Sequence, residues 1–162
     1  MIVSYDDFTR VFLDKVKEWK FLDPHLSDKE KTRVCDGYLK RACASFNRKC
    51  GYNLYNRDDT TRTFLENFSA EDVDEIVDII TEGMVAQWFK PYANNADNLE
   101  NTLNTTDYSG YSPAEILNRV RTAYKEAETC FKNRGNNYSF EHGDLTDLHI
   151  WTNKYICIIY RV

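Results

Sequence analysis

Histidine, proline and glycine are all scarce in this chain, with three, three and six copies among 162 residues. So little Pro and Gly excludes collagen-like and low-complexity architectures. Long hydrophobic runs are also missing: the longest covers only residues 155–160, against the ~20 apolar residues that a bilayer-spanning helix needs. The opening MIVSYDDFTRVF has neither the basic start nor the apolar core of a signal peptide, so the expectation is a chain neither exported nor inserted in a membrane. The five cysteines (Cys35, Cys43, Cys50, Cys130 and Cys157) are odd in number and contain no CxxC pair. They read as free buried thiols of a reducing compartment.

Catalytic signatures are missing as well. No Walker A loop, GxGxxG turn or GxSxG elbow is present, which leaves phosphate cradling and serine nucleophile chemistry unsupported. Cys50 could act as a nucleophile only if a histidine approached it in space, and a structural thiol is the simpler reading. Of the histidines, His25 falls in a turn, while His142 and His149 have Asp144 and Asp147 nearby. A metal or acid/base site at His142, Asp144 and His149 competes with a reading of these as ordinary polar turn residues. With no HExxH or comparable spacing, the turn reading is preferred. The expectation is no catalytic residue, no metal and no cofactor.

What is abundant is apolar and aromatic material, at 42% and 14% of residues. A chain of this length can bury roughly two-thirds of its unfolded surface in one core. Four segments show helical periodicity behind an N-terminal signal. The first starts at Ser4, with Asp7 at the third helical position, a Val3/Phe8 staple, and a stripe of Phe8, Val11, Phe12, Val16 and Trp19 ended by Asp23-Pro24. The second opens on Ser27-Asp28-Lys29-Glu30, a capping box. It buries Val34, Cys35, Tyr38, Leu39, Ala42, Cys43 and Phe46. After polar residues 50–59, a short turn or helix at 60–67 leads to Ser69, the cap of the third. That helix carries Val73, Ile76, Val77, Ile80, Met84, Trp88 and Phe89, and Lys90-Pro91 should stop it. Ser112-Pro113-Ala114-Glu115 starts the fourth, through Ile116, Leu117, Val120, Tyr124, Ala127, Cys130 and Phe131, with Gly135 as its stop.

Between the last two helices, residues 92–110 form a long connection rich in Asn, Asp and Thr. Connections of that length in a compact domain are usually functional or disordered. The β-branched and aromatic tail reads as a hairpin or strand pair. The expected architecture is therefore mainly α: a bundle of about four amphipathic helices, a helical domain over residues 1–148, and a strand segment over 149–162. That segment would pack on the domain or on a neighbouring subunit.

Charge is banded along the chain. Residues 1–62 hold 13 Lys and Arg against 10 Asp and Glu, residues 63–112 hold 1 against 10, and residues 113–162 hold 7 against 6. The second helix presents Lys29, Lys31, Arg33, Lys40, Arg41, Arg48 and Lys49; the third presents Glu71, Asp74, Glu75, Asp78 and Glu82. Such an acidic band argues against broad nucleic-acid binding. It suits a surface that DNA slides past, docking on a basic partner, or simply a solvated helix face. Tyr and Trp favour places where subunits meet. The candidate contact residues are Tyr92, Tyr108 and Tyr111 in and beside the connection and Trp151, Tyr155, Ile158 and Tyr160 in the tail.

Three stretches carry a family likeness: GMVAQWFKPY at 83–92 with NLEN at 98–101, NTTDYSGYSPAE at 104–115, and YSFEHGDL at 138–145. The pattern resembles the small head-tail connector proteins of tailed bacteriophages, the neck, adaptor or head-completion proteins, above all those of phages infecting Gram-positive bacteria. It covers most of residues 70–148 and, more loosely, the first 60. The resemblance implies a virion subunit made in the host bacterial cytoplasm. It would form a homo-oligomeric ring, commonly a dodecamer, between the portal protein and a tail or tail-completion protein. DNA would pass through non-specifically, with no enzymatic activity, cofactor or membrane involved. From composition alone, the alternative is a small acidic regulatory or inhibitory protein that engages a basic partner.

Overall fold

The structure is a computed structural model that describes residues 1–16, 27–94 and 113–143. It is mainly helical: α1 (Tyr5–Val16), α2 (Asp28–Phe46), α3 (Val73–Asn94) and α4 (Pro113–His142). A small antiparallel sheet joins them, made by β1 (Arg57–Asp58) and β2 (Thr63–Phe64).

The two N-terminal caps form as their sequences dictate. Ser4 N donates to Asp7 Oδ2 at 3.0 Å and Asp7 N to Ser4 Oγ at 3.4 Å. Val3 and Phe8 are both buried as a staple. In α2, Ser27 N donates to Glu30 Oε2 at 3.1 Å and Glu30 N to Ser27 Oγ at 3.3 Å, so both halves of the capping box are present. From α2, Cys35, Leu39, Ala42, Cys43 and Phe46 enter the core, while Val34 is exposed. Trp19 and Asp23-Pro24 lie outside the described residues, as does Ser112.

α3 is the central helix and packs against each of the other three. Val73, Ile76, Ile79, Ile80, Met84 and Ala86 are buried along it, a wider apolar surface than the single stripe of a surface helix. Thr81, fully buried, donates its hydroxyl to Asp78 O at 2.9 Å. At Gly83 a Cβ would sit 2.9 Å from Ala42 Cβ and from the Phe131 ring, so the bare backbone lets α2 and α4 close on α3.

Three sequence expectations are corrected. Residues 60–67 hold no helix: β1 and β2 pair Arg57 with Phe64 and Asp58 with Thr63 around a turn. Asp58 shapes that turn by accepting from Thr60 N at 2.8 Å and from Thr61 Oγ1 at 2.9 Å. The chain's start joins it, with Phe64 N donating to Val3 O at 2.9 Å. Secondly, Pro91 does not end α3, which runs on to Asn94. A proline one turn from the end removes a single hydrogen bond, and Trp88 spans it by packing edge-on against Tyr92 at 5.8 Å. Thirdly, Gly135 does not stop α4, which continues to His142. Gly135 is a packing glycine: its missing side chain admits Phe46, whose ring would lie 3.3 Å from a Cβ there.

The aromatic richness largely fills the interior. Phe64 contacts Tyr5 and Phe8 at 5.4 Å each and Phe68 at 5.9 Å, while Phe46 meets Tyr138 at 5.5 Å and Phe131 at 6.5 Å. Residues 149–162, the expected strand segment, lie outside the described residues.

Candidate assembly surfaces

The basic face of α2 is present and partly unpaired. Lys31 meets Asp28 at 3.5 Å, Lys40 meets Asp59 at 2.7 Å, and Arg41 lies over the Tyr38 ring at 5.2 Å. Lys29, Arg33 and Arg48 are exposed and form no ion pair among the described residues. A groove lined by Lys29, Thr32, Arg33, Asp36, Gly37 and Lys40 runs along this face.

On α3 the five acidic side chains divide by partner. Glu71 and Asp74 are exposed, just before and at the start of the helix, and form no ion pair among the described residues. Glu75 is half-buried and stands near Glu141 and His142 of α4. Asp78 and Glu82 are spent inside the subunit. Lys15 Nζ donates to Asp78 Oδ1 and to Glu82 Oε1, both at 2.6 Å. Arg134 pairs with the other Asp78 oxygen and approaches Glu82 at 3.8 Å. Burial opposes the Asp78 charge, but the Lys15 and Arg134 bonds outweigh it and hold the carboxyl below its ordinary range. This network ties α1 and α4 to α3. No local pattern encodes it, because its cations lie on other helices.

A second junction also escaped sequence reasoning. Arg62, in the hairpin turn, donates to Asp36 Oδ1 at 2.8 Å and Oδ2 at 3.2 Å, and to Asp6 Oδ1 at 2.6 Å. It thereby joins α1, α2 and the sheet.

Tyr92 is half-buried against Trp88. Tyr108, Tyr111, Trp151, Tyr155, Ile158 and Tyr160 lie outside the described residues. Exposed hydrophobic side chains occur instead at Ile2, Tyr55, Leu65 and Phe140, the last 69% exposed. The only sequence clue to Phe140 is that it falls off the stripe carrying Phe131 and Tyr138.

Burial governs three of the four described thiols. Cys35 and Cys43 are free and buried, and burial pushes them up to about 11 and about 12. Cys50 is half-buried and likewise pushed up to about 11, against thiolate formation. Cys130 is free and exposed, contrary to the expectation of burial. Asp144, His149 and Cys157 lie outside the described residues. Among the described residues no helix is long and apolar enough to cross a membrane.

No protein-family model, curated protein or solved structure matches the chain.

Proposed function

We propose that the chain is a structural ring subunit of the head-tail junction of a tailed phage, linking portal to tail and continuing the DNA channel. The observation that carries the reading is the presence of two surfaces of opposite charge on different elements, neither in a salt bridge among the described residues: Lys29 and Arg33 on α2 with Arg48 just past its end, and Glu71 and Asp74 at the start of α3. A ring closes through heterologous contacts, in which one surface of each subunit meets a different surface of the next. Opposite charges on the two surfaces favour that register over self-pairing of like faces. The ion networks through Asp78 and Arg62 keep the helices fixed while the surfaces dock. The resemblance over residues 83–115 and 138–145 adds the phage setting, with the portal, the tail and passing DNA as partners.

The test combines Glu71→Gln and Asp74→Asn, which spares the internal Asp78 pairing. With purified protein and the portal protein of the same phage, electron microscopy should show rings, and the chain should co-sediment with portal. The double variant should keep the wild-type melting temperature yet lose or weaken rings. Rings unchanged in the variant but impaired DNA passage would instead assign these carboxylates to the channel wall. Neither rings nor co-sedimentation from the wild type would overturn the proposal.

A further inference from the structure

The end of α4 meets the start of α3 at a cluster of metal-ligating groups. One ligand atom each from Glu75, Glu141 and His142 lie within 4.8 Å of one another. Asp72 borders the cluster, with Oδ1 3.5 Å from His142 Nε2. No lysine or arginine pairs with Glu75 or Glu141 among the described residues.

The imidazole is oriented before any ligand arrives. Its Nδ1 lies 3.0 Å from Tyr138 O, and a carbonyl only accepts, so Nδ1 carries the hydrogen and Nε2 faces the carboxylates. The ring also stacks on Tyr138 at 4.1 Å with 18° between planes, and Tyr138 is itself buried against Phe46. Asp72 is held in the same way: Oδ2 accepts from Tyr52 Oη at 2.6 Å and its backbone N donates to Ser69 Oγ at 3.1 Å. A second-sphere carbonyl on the distal imidazole nitrogen is a support that metal-ligating histidines typically have.

Cation binding is further favoured by the negative end of the α4 dipole, where Glu141 and His142 lie.

We propose that Glu75, Glu141 and His142 bind one divalent transition-metal ion, zinc by their mix of imidazole and carboxylate donors, which clamps the end of α4 onto the start of α3. The site is independent of the ring reading, and it is tested on the chain alone. Chelator-treated protein titrated with zinc chloride in a calorimeter should bind one ion per chain at micromolar concentration or below, and its melting temperature should rise. His142→Gln combined with Glu75→Gln should weaken binding by ~10-fold or more. Glu141→Gln, at an exposed position, should also weaken binding while leaving the apo fold intact by circular dichroism. Cobalt(II) should give a spectrum without thiolate charge transfer, which separates this site from the cysteines. No zinc binding at micromolar concentration would mean an imidazolium-carboxylate contact only and overturn the proposal. So would full affinity in the double variant, or a cobalt-sulfur band.

Discussion

Arg62 and Gly83 show how much single residues carry here. Arg62 adopts φ 55°, a left-handed conformation, while its guanidinium holds Asp6 and Asp36. A side chain pays ~1–2 kcal/mol for that conformation, so the two ion pairs must outweigh it. Arg62→Ala loses the pairs and keeps the backbone cost; Arg62→Gly loses the pairs and escapes it. Both should be less stable than the native chain in urea denaturation, with the alanine variant lower by about 1 kcal/mol. At Gly83 the neighbours are Ala42 Cβ and the Phe131 ring at 2.9 Å from an added Cβ. Gly83→Val should cost about 1–3 kcal/mol by overpacking, read as a lower urea midpoint with an unchanged slope.

Helices α1 and α2 were legible from their sequence because a cap is local. Ser27 and Glu30 are three residues apart, and the geometry they need is set by the first helical turn. The ends of α3 and α4 were misread for the complementary reason. Pro91 and Gly135 are stop signals only when nothing else holds the next turn, and here Trp88 on Tyr92 and Phe46 beside Gly135 hold it. The hairpin was missed because each strand is two residues long and is completed by the distant Val3 backbone. α4 meets α2 through one aromatic, since Phe46 contacts both Phe131 and Tyr138. Phe46→Ala should therefore cost ~3–5 kcal/mol. Its hydrogen exchange should show α4 losing more protection than α1.

At the scale of the molecule, ionisation couples to the fold. Asp59, Asp72 and Asp78 all sit below their ordinary values. Lys40 and Tyr5 bond Asp59; Tyr52 and Ser69 bond Asp72; at Asp78 burial is outweighed by Lys15 and Arg134. A folded-state value below the unfolded one gives stability that is present above the unfolded value, about 4, and lost as pH falls through the folded value. The urea midpoint should accordingly hold steady down to about pH 5 and drop below about pH 4, with Asp78→Asn giving a shallower acid limb. At the other end, burial raises the Tyr5 and Tyr138 phenols. Their contribution is complete below the unfolded value and should fade as pH rises past about 10.

By itself the sequence determined the helical class, three of the helix starts, most core residues of α2 and the banding of charge, since each depends on neighbours a few positions away. Only the tertiary structure decided what the charges do. It spends Asp78 and Glu82 on Lys15 and Arg134, leaves Glu71 and Asp74 without an ion pair among the described residues, and brings Glu75 and Asp72 to His142. Ion pairs and ligand clusters join residues from different helices, and no periodicity along the chain encodes which helix faces which.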